Sequence, residues 1–249
     1  MMYDVTDKVA LITGGTRGIG LAIAEDLVAA GARVVLNGRS ETPEAAELLR
    51  RHGRQRVAIE LGDVSDTAEA EALVKRTADR FDRLDVLVHS AGGPAPGTVL
   101  QLEDSDWRAA FDIHVHPVFT LFRAAHPYLA REGGAVILIS SVAGIRGCPG
   151  TVAYQTVKGA LIPMAKALAF DHAAENIRVN VLAPGIIRTR FHEAMTDQAR
   201  AHNLDKRIPL RREGSPENVA QAARQLIEND FVTGEMIVVD GGMSMRVTG

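Results

Sequence analysis

The chain reads as an α/β fold built on a parallel sheet, and three features of the sequence predict it. Short apolar runs recur near residues 8–13, 33–37, 56–60, 85–89, 134–140, 178–183 and 236–239. Segments of helical period lie between most of them, and strands that alternate with helices imply right-handed crossovers that cover both faces of a parallel sheet. The first apolar run opens into a glycine-rich turn directly before a helical stretch, the signature of a strand–turn–helix unit.

In chain order, Val9-Ala10-Leu11-Ile12-Thr13 is the first strand, and Gly14-Gly15-Thr16-Arg17-Gly18-Ile19-Gly20 leads into a helix over Leu21 to Ala30. Gly14 permits the turn, whereas Gly18 and Gly20 permit close approach of backbone to a ligand and of helix to sheet. Backbone N–H groups and the helix dipole at such a turn attract an anion, so it is a candidate site for a dinucleotide phosphate. The spacing is G-x-x-x-G-x-G rather than G-x-G-x-x-G. The second strand, from Arg33 to Asn37, ends in Gly38-Arg39-Ser40. Farther on come Leu61-Gly62-Asp63-Val64-Ser65, a helix from Thr67 to Phe81, and the strand Val86-Leu87-Val88 followed by His89-Ser90-Ala91-Gly92. A long helix is expected from Asp104 to Leu129. Pro117 cannot donate to the carbonyl of Ile113, so that helix should kink there.

Chemistry concentrates in the following segment. Ala135-Val136-Ile137-Leu138-Ile139 reads as a buried strand and runs into Ser140 and Ser141. Tyr154 and Lys158 then occupy positions i and i+4, one face of a helix. A Lys158 ammonium beside the Tyr154 phenol would favour its ionised form, and a tyrosine so tuned can exchange a proton near neutral pH. Ser141 could hydrogen-bond a substrate oxygen held between them. Pro163 in the same helix removes one backbone bond and is expected to bend it. After Asn180 and Pro184-Gly185 the chain closes with Val232-Thr233-Gly234-Glu235-Met236-Ile237-Val238-Val239-Asp240-Gly241-Gly242.

Composition narrows the function classes. With 249 residues, 46% hydrophobic and 24% charged, and no proline-rich, serine-rich or charged linker, the chain is expected to bury one large core as a single domain over 1–249. A net charge of −3 carries no electrostatic footprint for nucleic acid. The one cysteine, Cys148, rules out an intrachain disulfide and fits a reducing compartment. Met1 to Lys8 lacks a basic-then-apolar signal and no uninterrupted apolar stretch approaches bilayer length, so the expectation is a cytoplasmic protein without membrane partners. Among the eight histidines, His114 and His116 are two apart and point in different directions on a helix, and no H-E-x-x-H or cysteine cluster exists. No metal is expected.

The glycine turn together with Ser141, Tyr154 and Lys158 resembles the short-chain dehydrogenase/reductase family. The likeness extends to Asp63, Ala91-Gly92, Asn180, Pro184-Gly185, Thr189 and the closing strand, and so covers nearly the whole chain. It implies a single-domain, Rossmann-like, doubly wound fold with a seven-stranded parallel sheet. It also implies a nicotinamide cofactor bound by Gly14, Thr16, Arg17, Gly18, Ile19, Gly20 and Arg39, with Asp63 and Val64 at the adenine and Ala91 and Gly92 on the ribose side. Lys158 would hold the nicotinamide ribose beside Tyr154, and Thr189 the amide, with Pro184, Gly185 and Ile187 among the binding positions. In reduction Tyr154 would give a proton to the carbonyl oxygen that Ser141 orients, as hydride reaches its carbon.

Two motifs depart from the family pattern. The asparagine that usually follows a tryptophan by seven residues, and holds a water that relays protons, is here His114, counted from Trp107. Either the imidazole takes over the relay or it fills space while backbone holds the water. The family's N-N-A-G is likewise His89-Ser90-Ala91-Gly92, with His89 expected to pack or hydrogen-bond at the strand end.

At the end of the second strand, where an acidic residue would bind a ribose 2′-hydroxyl, the family's position is Gly38, followed by Arg39; Arg17 lies in the glycine turn. Two guanidinium groups suit a 2′-phosphate, so NADP(H) is favoured over NAD(H). Residues 186–210 are the implied substrate-covering segment, with Phe191, Met195 and Leu204 among Arg188, Arg190, His192, His202, Lys206 and Arg207. That mixture suggests an apolar pocket with a basic rim, compatible with an acyl thioester on an acidic carrier, or else a lid whose charges are solvated. A homotetramer is expected by analogy. The leading activity is NADP(H)-dependent reduction of a carbonyl such as a 3-oxoacyl thioester. The alternatives are a dehydrogenase of a sugar, steroid or other secondary alcohol, and a non-catalytic NADP(H)-binding sensor or scaffold.

Overall fold

The computed structural model of the protein describes residues 3–190 and 195–245. In chain order the strands are β1 (Val9–Thr13), β2 (Arg33–Gly38), β3 (Val57–Leu61), β4 (Val86–His89), β5 (Gly134–Ile139), β6 (Ile177–Pro184) and β7 (Met236–Val239). The helices are α1 (Gly18–Ala29), α2 (Pro43–His52), α3 (Thr67–Phe81), α4 (Asp104–His114), α5 (His116–Leu129), α6 (Val152–Asp171), α7 (Asp197–His202) and α8 (Pro216–Glu228). All seven strands pair in parallel in the order β3-β2-β1-β4-β5-β6-β7, which gives the Rossmann-like, doubly wound sheet. The order reverses between β1 and β4, and the crevice beyond the carboxyl ends of those strands is where such sheets hold ligands.

The apolar runs of the central strands follow from burial on both faces. In β1, Ala10 and Ile12 point into a core formed with Leu21, Leu27, Leu48 and Leu226, while Val9 and Leu11 point into a second core with Leu73, Leu121, Leu129 and Leu161. One sheet face is thus covered by α1, α2 and α8, the other by α3, α5 and α6. Among the described residues no helix is long and apolar enough to cross a membrane.

The long helix expected from Asp104 to Leu129 is two helices. Val115, at φ −114° and ψ −55°, separates α4 from α5, and Pro117 stands at the start of the second. The missing Pro117 N–H leaves the Ile113 carbonyl without its helical donor, so the predicted kink is a full break. By contrast α6 runs through Pro163 without interruption as a helix. Asn180, one of the landmarks of the family likeness, is buried and ties β6 to the approach to β7: its amide donates to the Val232 carbonyl and accepts from the Glu235 N–H.

The buried Arg178 on β6 closes α8. Its guanidinium donates to the carbonyls of Leu226, Ile227 and Asn229 at 2.6, 2.5 and 2.8 Å, placing a cation at the negative end of the helix and satisfying carbonyls that the helix cannot serve itself. Arg178→Met is therefore expected to lower stability by about 2 kcal/mol, read as a fall in the urea midpoint at unchanged slope.

Candidate active site

The turn between β1 and α1 is shaped by contacts that exclude side chains. Gly14 (φ +63°) and Gly18 (φ +56°) adopt left-handed backbone, and a Cβ on Gly14 would lie 2.8 Å from both the Ala91 nitrogen and the Ser90 oxygen. A Cβ on Gly20 would run into the Gly14 carbonyl, so its absence lets α1 begin hard against the turn. Ile19 follows in the first helical turn and packs its side chain on the core. Arg17 is the N-cap but supplies no side-chain cap. The first N–H groups of α1 are therefore free to serve an anion at the switch point of the sheet, and the turn fits a dinucleotide phosphate.

Around this turn stand the residues expected to read the adenosine half. Arg17 is exposed and donates to Ser40 Oγ at 3.0 Å, which brings it beside the exposed Arg39. Thr16 is buried under Gly38, where a Cβ would lie only 2.5 Å from Thr16 Oγ1. Val64 is buried and Asp63 half-buried. Burial pulls the Asp63 carboxyl upward, but the N–H and hydroxyl of Ser65 and the charge of Arg39 outweigh it and hold it below its ordinary value.

At the end of β4 two substituted positions meet. His89 is buried, with Nδ1 3.0 Å from Thr13 Oγ1, and the same hydroxyl accepts the Ala91 N–H at 3.2 Å. His89 thereby fixes the backbone against which Gly14 packs, and Gly92 stays open to solvent beyond it. His114 is also buried; Gly93 N–H donates to its Nε2 at 3.3 Å, and that nitrogen lies 3.0 Å from the Gly93 carbonyl. A Cβ on Gly92 would overlap the His114 ring, so the imidazole occupies space that only glycine leaves. Burial first, then the Lys158 charge, push His89 down to about 3 and His114 down to about 2, so both are neutral. Among the described residues, His89 Nε2 and His114 Nδ1 have no hydrogen-bond partner. His116 points elsewhere, exposed and paired with Asp112 at 2.9 Å.

Ser141, Tyr154, Lys158 and His114 come together at the carboxyl end of β5 and the first turns of α6. Ser141 hydrogen-bonds to the Tyr154 phenol, and the His114 ring meets the Tyr154 ring edge-on with centroids 5.8 Å apart. Lys158 is buried, its Nζ donating to the Ile139 carbonyl at 2.8 Å and standing 5.8 Å from the Tyr154 ring centre. Electrostatics here differ from expectation. Tyr154 is raised, not lowered: burial dominates, the Ser141 bond opposes it and Cys148 adds to it. Lys158 is itself pushed down to about 7 by burial, and it spends its proton on a strand carbonyl rather than on the phenol.

Several supports of this constellation escaped the sequence. Ser140 donates to the Lys158 carbonyl at 2.7 Å, and a Cβ on Gly144 would lie 2.7 Å from the Lys158 carbonyl carbon, so the short 3₁₀ turn Val142–Gly144 presses directly on α6. Gln155 holds the Cys148 backbone from both sides, accepting its N–H at 2.9 Å and donating to its carbonyl at 2.6 Å. A glycine and a serine at those places carry no pattern of their own; only the docking of the turn on α6 gives them work.

At the end of β6, Gly185 donates to Val239 and approaches Asp240 so closely that a Cβ would lie 2.7 Å from the Asp240 Cβ. Ile187 is buried, and the Thr189 side chain lies beside Gly18, which brings the strand end to the glycine turn. In the covering segment, Met195 and Leu204 pack on Ile186, Ile208 and Met243. The basic rim is largely paired: Arg188 and Arg200 share the buried Glu213 at 3.3 and 3.1 Å, Lys206 meets Asp205 at 2.6 Å and Arg207 donates to Asn203 at 2.9 Å. Phe191 and His192 lie outside the described residues.

Residues 14–244 match the family described as enoyl-(acyl carrier protein) reductase. The chain is 37% identical over 250 residues to dehydrogenase/reductase SDR family member 4 of Caenorhabditis elegans, covering 96% of each protein. It is 36% identical over 252 residues to a 3-oxoacyl-[acyl-carrier-protein] reductase of Synechocystis sp., covering 98% of this chain and all of that one. A 3-oxoacyl-[acyl-carrier-protein] reductase of Chlamydia trachomatis is 34% identical over 246 residues, covering 96% of this chain and 98% of its own.

Two histidines buried as neutral rings make stability depend on acid. Below their ordinary value of 6.5 the unfolded chain takes up protons that the folded chain refuses until about 3 and about 2, so stability is lost as pH falls below 6.5. His114→Asn removes one of these groups, and its stability is expected to fall less steeply than that of the parent between about pH 6.5 and 4 in urea titrations.

Proposed function

As a member of the short-chain dehydrogenase/reductase family, the chain is an oxidoreductase acting on CH–OH and C=O groups with a nicotinamide cofactor, and we propose that it uses NADP(H) to reduce a 3-oxoacyl thioester. The observation that carries the reading is the hydrogen-bonded Ser141–Tyr154 pair, with a buried Lys158 one helical turn along, beside an uncapped helix start that fits a dinucleotide. The cofactor, when bound, supplies the hydride. Tyr154 donates the proton to the carbonyl oxygen, and Ser141 donates a hydrogen bond that offsets the charge developing there. Lys158, held near 7, carries a proton that moves readily at neutral pH and restores the phenol, besides holding ribose hydroxyls. His114 stands in for the family's asparagine: neutral and buried against Tyr154, its imidazole is assigned to the path from Lys158 to solvent, with Nδ1 lacking a partner among the described residues.

NADP(H) is favoured by what surrounds Gly38. A carboxylate at that position would have to displace Thr16, while Arg17 and Arg39 flank the place a 2′-phosphate would take. Gly14, Gly18, Ile19 and Gly20 are assigned to the pyrophosphate, Asp63 and Val64 to the adenine, Ala91 and Gly92 to the ribose side, and Pro184, Gly185, Ile187 and Thr189 to the nicotinamide. Residues 186–210 cover the substrate. The 3-oxoacyl thioester is preferred because two of the full-length relatives are named for that reduction. Phe119 on α5 and Phe170 on α6 are 61% and 87% exposed, apolar faces in keeping with assembly into a homotetramer.

The deciding experiment follows NADPH oxidation with acetoacetyl thioesters, sugars and ketosteroids. Thioester reduction is expected to be fastest, and Tyr154→Phe to lower kcat at least about a hundredfold while cofactor binding persists. Silence towards all three classes with tightly bound cofactor would sink the enzyme reading in favour of a sensor. The parent is also expected to prefer NADPH over NADH, with Arg39→Ala raising KM for NADPH about tenfold and leaving NADH unchanged; comparable efficiencies with both cofactors in the parent would refute the phosphate assignment. His114→Asn with an unaltered pH profile of kcat would remove the imidazole from the relay.

A further inference from the structure

The structure assigns a second site, far from the first: we infer that His126, His172 and Glu175 bind a zinc-type divalent cation. His126 lies in the last turn of α5, His172 caps the C-terminus of α6, and Glu175 ends the 3₁₀ turn Ala173–Glu175 that leads into β6. His126 Nε2 stands 3.1 and 3.0 Å from the two Glu175 oxygens, and His172 Nδ1 stands 2.7 Å from one of them. The three ligand atoms lie within 4.8 Å of one another, and among the described residues this is the one such group of three.

Its donor set and support are those of a metal site. Two imidazoles and a carboxylate are ligands that zinc takes at about 2.0–2.2 Å, leaving a further position for water, and imidazole also suits copper and nickel. Tetrahedral ligands at that radius sit roughly 3.3 Å apart, so the His126–Glu175 spacing of 3.0 Å and the His172–Glu175 spacing of 2.7 Å would open by less than about 1 Å, with the two imidazole nitrogens already within 4.8 Å of each other. Both rings are braced. The buried Phe122 packs on His172 at 4.9 Å and on His126 at 6.3 Å, and the imidazoles lie 4.9 Å from each other. The turn is fixed as well: Glu175 N–H donates to the His172 carbonyl at 3.1 Å and Ile177 N–H to the same carbonyl at 3.3 Å, with Asn176 in left-handed conformation between. Side-chain exposures of 33%, 26% and 38% leave the ligands accessible to an ion from solvent.

Position defines the role. Along α6, Tyr154 and His172 are separated by about 27 Å, so the ion cannot reach the reacting carbonyl. It ties the end of α5 to the α6–β6 turn, at the amino end of β6, opposite the cofactor crevice. Sequence spacing does not display this group, because its ligands come from separate elements that the fold alone brings together.

The test is zinc titration of the chelator-stripped protein by calorimetry, with thermal melts in parallel. One equivalent is expected to bind and to raise Tm by about 5 °C, with magnesium giving no shift. His126→Gln and Glu175→Gln should each weaken zinc binding at least tenfold and abolish the shift, while retaining the parental Tm in chelator and the parental NADPH oxidation rate. Absence of stoichiometric binding, or binding undiminished in the His126→Gln/Glu175→Gln double variant, would overturn the assignment.

Discussion

Burial of the Lys158 ammonium at the carboxyl edge of the sheet is the constraint around which the site is arranged. An ammonium taken out of water loses its hydration, and here a single strand carbonyl, that of Ile139, receives it. The consequence is a lysine held near 7, able to give and take a proton at neutral pH. Holding it there requires the 3₁₀ turn after β5 to press on α6, which in turn requires Gly144 and the Ser140 bond to the Lys158 carbonyl. That same docking delivers Ser141 to Tyr154. The serine, the tyrosine and the lysine are thus one mechanical unit, in which none keeps its position without the turn.

The two histidines answer to the same charge. A cationic imidazole beside a buried ammonium would be doubly penalised, by desolvation and by repulsion, and both rings remain neutral. Neutrality makes His89 a hydrogen-bonding strut between β4 and β1, and His114 a space-filling ring under Tyr154 with one nitrogen to spare. The break between α4 and α5 belongs to this arrangement. With Pro117 unable to serve it, the Ile113 carbonyl is left near His89, whose protonated form it and the His114 backbone would favour; burial nonetheless prevails.

Much of the fold was legible because its signals are local. The strands are mostly apolar, since both sheet faces are covered, with polar residues such as Arg178 and Asn180 on β6 held by specific partners. The Thr67–Phe81 helix is found where its period places it, capped at its start by Asp66. The glycine turn, Tyr154 and Lys158 could be read because backbone geometry and helical periodicity fix such spacings within a few residues. Less legible were Thr13, Ser140, Gly144 and Glu213, residue types common anywhere, whose partners lie far along the chain, 76 positions for Thr13–His89 and 18 for Ser140–Lys158.

The sequence by itself determined the order of strands and helices, the place of the glycine turn and the spacing of the tyrosine and lysine, because each is written in neighbours that touch along the chain. Tertiary structure alone decided the protonation. Whether Tyr154 is lowered by Lys158 or raised by burial depends on what surrounds them in three dimensions, and burial won. The same holds for the covering segment, where sequence left a basic rim and a solvated lid both open and only the fold brought the buried Glu213 between Arg188 and Arg200. It holds again for His126, His172 and Glu175, unremarkable along the chain and convergent only where α5 meets the turn into β6. Charge is a property of surroundings, and surroundings are made by the fold.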